Sequence, residues 1–128
     1  MDQLKTFTDK RGSLTLVENG NEIPFQITRA YWISEVPYGE ERGKHANKIS
    51  YQYLIAVNGS VEVTLEDING KNTYKLDARN KGLLVPPRTW NELRNFSADA
   101  VLLVLASHSY DEETYINSHE EFIQYIGK

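Results

Sequence analysis

The stretch "YQYLIAVNGSVEVTLEDING", residues 51–70, decides the fold class. Tyr51–Val57 is rich in aromatic and apolar residues and stops at Asn58-Gly59, a dipeptide that signals a β-hairpin. Ser60–Asp67 follows as a second strand and runs to another turn at Asn69-Gly70. Working outward, the same rhythm continues. Upstream, "SLTLVE" (Ser13–Glu18) alternates apolar and polar residues and ends at "NGN". Phe25–Val36 is β-branched and aromatic after Pro24; if extended, it turns Gln26, Thr28, Ala30 and Trp32 one way and Ile27, Arg29, Tyr31 and Ile33 the other. Downstream come "NTYKLD", "GLLVPP", "TWNELRNF" and "AVLLVLAS". The last, Ala100–Ser107, is a nearly continuous apolar run, as for a strand buried on both faces. Short strands at roughly ten-residue spacing, with no helices between them, predict an all-β sandwich or barrel.

Only the tail departs from this pattern. "SYDEETYINSHEEFIQYIGK" carries Tyr115, Ile116, Phe122, Ile123 and Ile126 at helical spacing. Asp111 can cap a first short turn and Ser118 a second, with Glu121 completing a capping box. The expected apolar stripe packs on the barrel.

Length and composition narrow the class further. A chain of 128 residues makes one domain, residues 1–128, without repeats or linkers. It is 40% hydrophobic and 25% charged, with a formal net charge of -4. Acids and bases are mixed, and no basic stripe interleaves with aromatics, so nucleic acid is not an expected partner. No apolar run approaches a membrane span, and the first residues lack the apolar core of an export signal. With no cysteine, thiolate ligands and disulfides are excluded. The expected setting is the cytoplasm.

Two stretches keep the spacing of a metal-binding cupin barrel but not its ligands. His45-x-Asn47-x4-Gln52-x6-Gly59 matches the first ligand motif of that fold, and Pro86-x-Arg88-x2-Asn91-x3-Asn95 the second. The candidate ligands would be His45, Asn47, Gln52 and Asn91. One imidazole with three neutral amides makes a poor site for a divalent transition metal, which wants an anionic carboxylate or thiolate beside its imidazoles. No metal and no other cofactor is therefore expected, and the frame serves to shape a pocket. Around His45 stand Arg42, three residues before it, Arg29 and Tyr31 on one strand face, and Trp90 in the second motif. Arginines suit an anionic ligand and a histidine suits proton transfer near neutral pH.

Six segments in order, "RGSLTLVE", "IPFQITRAYWI", "RGKHANK", "LIAVNGSVEVTL", "GLLVPPRTWNEL" and "VLLVLASHSYDEETYI", resemble the WxcM-like sugar 3,4-ketoisomerases, from about Arg11 to about Ile126. The resemblance implies a cupin-type double-stranded β-helix (a jelly-roll barrel) with a short helical C-terminus. It implies a metal-independent isomerase that moves the ketone of dTDP-4-keto-6-deoxyglucose from C-4 to C-3 through an enediol, in deoxy-amino-sugar biosynthesis for a surface glycan. It further implies a homodimer that exchanges an N-terminal strand. His45 matches the first histidine of the family's "RG-x-H-x-H" and Tyr31 its tyrosine. Asn47 replaces the second histidine and could donate a hydrogen bond but not carry a proton. These three form the expected catalytic set. Arg11, Arg29, Arg42, Gln52, Trp90 and Asn91 form the expected substrate-binding set. Arg11 resembles members that yield the galacto (fuco) product, whereas Asn91 stands where His or Arg would be expected. Two other readings are a non-catalytic nucleotide-sugar-binding cupin and a related nucleotide-sugar epimerase.

Overall fold

A computed structural model of the chain describes residues 1–127. Twelve strands form: β1 (Asp2–Gln3), β2 (Lys5–Asp9), β3 (Gly12–Leu16), β4 (Arg29–Ser34), β5 (Arg42–Asn47), β6 (Gln52–Asn58), β7 (Val61–Asp67), β8 (Gly70–Leu76), β9 (Lys81–Val85), β10 (Trp90–Arg94), β11 (Val101–Ala106) and β12 (Tyr115–Ile116). The last element among the described residues is helix α1 (His119–Ile126). Two five-stranded antiparallel sheets take the orders β1-β9-β6-β11-β4 and β12-β5-β10-β7-β8. This is the expected all-β jelly roll.

Three apolar layers hold it together. Leu54, Ala56, Val63, Leu93, Leu102 and Val104 meet between the two sheets. On the outer side of the first sheet, Tyr53, Ile55 and Leu105 are covered by Ile23, Phe25 and Ile27 from the segment before β4. Strand β6 is thus buried on both faces, and so is most of β11, as its unbroken apolar run predicts. On the outer side of the second sheet, α1 lays Phe122 and Ile126 on Trp90, Ala46 and Ile116. Ser118 caps that helix by accepting from the Glu121 amide, and Asp111 caps a 3-10 turn at Glu112–Thr114, both as predicted.

Two expectations are corrected and one strand is added. Asn58-Gly59 is not a hairpin, because β6 and β7 belong to different sheets and the turn carries the chain across the sandwich. Gly59 is needed there: its φ is +66°, and a Cβ would stand 2.3 Å from Ser97 Oγ and 2.8 Å from Ala100 Cα. Tyr115 and Ile116 are not helical; they pair with Asn47 and Ala46 as an edge strand. Finally, β2, which the sequence pattern did not single out, pairs with β3 in a hairpin belonging to neither large sheet.

Candidate active site

At one end of the sandwich the sheets part around a cavity of about 320 Å³. Each wall follows from strand period. On β4 the alternation points Arg29, Tyr31 and Ile33 inward, with Ala30 and Trp32 outward, as the sequence predicts. From β5 come Arg42, Gly43 and His45, from β6 Gln52 and Leu54, and from β10 Asn91 and Leu93. A bulge aims His45. The register between β10 and β5 passes from Asn91↔His45 to Glu92↔Gly43, leaving Lys44 unpaired with φ of +62°. The Asn91 amide donates to the His45 carbonyl at 3.2 Å, which ties the bulge down. Gly43 has φ of +78°, and a Cβ there would meet Asn91 Oδ1 at 2.6 Å.

The His45 imidazole is largely enclosed, and burial holds its pKa below the ordinary histidine value. Near neutral pH it is therefore an uncharged ring able to take a proton. Burial pushes the Tyr31 phenol the other way; Tyr115 reinforces that rise, and Arg29, the Gln52 hydrogen bond and Arg42 oppose it. Tyr31 thus keeps its proton, and its oxygen accepts from Gln52 Nε2 at 3.4 Å. Arg29 lies over the Tyr31 ring at 4.8 Å and the Tyr110 ring at 5.6 Å, and donates to the Tyr115 hydroxyl at 3.2 Å. Its buried Nε has no hydrogen-bond partner among the described residues. Such an atom costs about 1–3 kcal/mol unless a ligand oxygen answers it.

Six of the nine predicted site residues meet in this cavity: His45, Tyr31, Arg29, Arg42, Gln52 and Asn91. Asn47 does not line it. Its Oδ1 accepts from the amides of Ile49 and Ser50 at 2.9 and 2.7 Å, and its Nδ2 donates to Thr114 Oγ1 at 3.0 Å. The amide is thus engaged in holding a turn, so the structure does not bring Asn47 together with His45 and Tyr31. Trp90 also lies elsewhere. Because Asn91 faces inward, its neighbour must face outward, and Trp90 packs under α1 with its indole N–H on Glu92. Arg11 sits at the tip of the β2–β3 hairpin, paired with Asp9 and exposed, outside the cavity of its own chain.

The donor set does not suit a metal. Asn47 has turned away, and among the described residues no group of three or more His, Asp or Glu side chains could hold one. Sequence reasoning missed Tyr110, Glu112, Tyr115 and Asn117, which close the cavity from the C-terminal segment. A helical reading of that segment hid the alternation that sends Ile116 into the core and Tyr115 into the cavity.

The comparisons with known proteins bear on the family and the fold. The family described as FdtA: WxcM-like, C-terminal, matches residues 1–127. The TDP-4-oxo-6-deoxy-alpha-D-glucose-3,4-oxoisomerase of Aneurinibacillus thermoaerophilus is 44% identical over 124 residues, 97% of this chain and 89% of the relative. A 3,4-ketoisomerase from Helicobacter canadensis superposes with a TM-score of 0.94 at 40% identity, covering 98% of this chain and 95% of that one. The ketoisomerase QdtA of Thermoanaerobacterium thermosaccharolyticum, solved as a His-to-Asn variant with TDP-4-keto-6-deoxyglucose, superposes at 0.92 with 37% identity, covering 97% and 90%. No helix among the described residues is long and apolar enough to cross a membrane. By sequence, fold and cavity, the chain belongs to the FdtA family of WxcM-like C-terminal domains.

Proposed function

We propose that the chain is a sugar 3,4-ketoisomerase that converts dTDP-4-keto-6-deoxyglucose to the 3-keto isomer. The observation that carries this reading is a half-buried, uncharged imidazole, His45, sharing a cavity with a protonated phenol, Tyr31, and two arginines. Isomerisation needs a base near neutrality to take the C-3 proton and a donor to hold the enediolate oxygen. His45 takes the C-3 proton, exchanges it with solvent and delivers a proton at C-4, while the O-3 hydroxyl proton passes to O-4. Tyr31 donates to the oxygen on which charge develops. Arg29 and Arg42 hold anionic or carbonyl oxygens of the substrate, and the unpaired Arg29 Nε is a donor kept in reserve for that contact. Gln52 orients Tyr31, and Asn91 fixes the His45 backbone.

The dimer with exchanged N-terminal strands belongs to the same proposal. It is supported by the isolated β2–β3 hairpin, whose Phe7 and Leu14 are 56% and 59% exposed. Exchange would bring Arg11 to the partner's cavity, where it would favour the galacto product. The test is incubation of the protein with dTDP-4-keto-6-deoxyglucose and identification of the product by NMR. A 3-keto-6-deoxyhexose is expected. An unchanged sugar would leave the binding-module reading, and inversion at another carbon would favour the epimerase.

A further inference from the structure

We propose that Tyr115 is a positioning residue that sets the angle of the His45 ring through an edge contact and, through its hydroxyl, holds Arg29 in register with it. The inference rests on the isomerase reading for its catalytic consequence, but the contact itself stands on geometry. Strand β12 is two residues long and pairs Tyr115 with Asn47 and Ile116 with Ala46, beside the strand that carries His45. Ile116 is buried at 1% exposure against Trp90 and Phe122, so the period of the strand sends Tyr115 to the opposite face, into the cavity. There its ring meets the imidazole edge to face, with centroids 4.8 Å apart and planes at 70°.

That contact matters because no hydrogen bond fixes the imidazole. Among the described residues no side chain or backbone group hydrogen-bonds either ring nitrogen; the bond at this residue goes to its carbonyl. The outer torsion of a histidine is broad and roughly two-fold, so a ring without a hydrogen-bonded partner is oriented by what it packs on. The other end of Tyr115 is engaged too. Its hydroxyl accepts from Arg29 Nη2 at 3.2 Å, and that guanidinium is stacked over Tyr31. One side chain thus links the base, the cation and, through the cation, the phenol.

Two variants separate the two contacts. Tyr115→Phe keeps the ring and loses the hydroxyl; it should raise KM while kcat stays near that of the unaltered protein. Tyr115→Leu loses the ring; kcat should fall about 10- to 100-fold, the scale at which a misplaced group harms a reaction. The titration of His45, followed by NMR, reads how far the Tyr115 ring shields the imidazole from water, and its retention in Tyr115→Phe separates that role from a general loosening of the fold. The charged and titratable groups lining the cavity with it are Arg29, Tyr31, Arg42, Tyr110 and Glu112, which both variants retain. Tyr115→Leu should admit water and move the His45 midpoint up toward about 6.5, and Tyr115→Phe should leave it in place. Should the leucine variant not fold, ring-to-ring nuclear Overhauser contacts between His45 and Tyr115 in the unaltered protein decide the point. Their absence would overturn the proposal. So would a leucine variant with unaltered kcat and midpoint, or a phenylalanine variant that loses kcat as fully as leucine. The titration and the ring contact are read without turnover. A protein that fails to isomerise the sugar therefore overturns the functional reading, while these two still decide the role of Tyr115.

Discussion

At the scale of single residues, the site is governed by where two side chains keep or lose a proton. His45 is half-buried, and the loss of solvation favours its neutral form. The sign of the pH dependence follows. Above its depressed pKa the imidazole is free to accept a proton, and below it the ring is already charged. The acid limb of kcat/KM should therefore lie below about 6.5, the ordinary histidine value, and fall tenfold per pH unit beyond it. A limb at or above that value would mean that another group is the base. Asn47 behaves differently. Its amide answers two backbone N–H groups and Thr114, so Asn47→Ala should cost about 1–3 kcal/mol of stability, measured by urea denaturation, because those donors lose their acceptor. If stability is unchanged and only turnover falls, Asn47 acts on the substrate after all.

At the scale of elements, what the sequence shows depends on whether a local signal has one structural meaning. The period of Phe25–Val36 has one meaning, and it places Arg29 and Tyr31 correctly on one face. Ala100–Ser107 and the caps Asp111 and Ser118 are equally legible. Asn58-Gly59 has two meanings, since the same backbone serves a hairpin or a crossing between sheets, and only the partner strands decide. Trp90 could have been assigned from period alone, because Asn91 and its neighbour cannot both face inward. Tyr115 could not, as a two-residue strand is too short to show alternation. Strand β2, with Phe7 as its one apolar residue, carries almost no apolar pattern, all five of its residues being exposed in the single chain. Two element-scale outcomes follow. Gly59→Ala should destabilise by more than about 1 kcal/mol, since it combines a positive φ with a close approach to Ala100. Ser118→Ala should cost about 1 kcal/mol by uncapping α1. Equal urea midpoints for variant and unaltered protein would refute either assignment.

At the scale of the molecule, two sheets part at one end to hold chemistry, and one hairpin stands apart with apolar side chains in the open. The proposed exchange of that hairpin would give a dimer by sedimentation at tens of micromolar protein (an order-of-magnitude choice), where a monomer would count against the proposal. The central claim, that His45 removes the C-3 proton and, after exchange with solvent, supplies one at C-4, has a more direct test. The protein is incubated with dTDP-4-keto-6-deoxyglucose in deuterated water, and the sugar carbons are followed by NMR for the unaltered chain and for His45→Asn. Deuterium should enter at C-4 as the 3-keto product forms. The variant should lose about 10²- to 10⁴-fold in that rate, the usual contribution of a positioned acid–base group, while still binding dTDP. Label at a different carbon, no label with the unaltered protein, or a variant that exchanges at the unaltered rate would contradict the account.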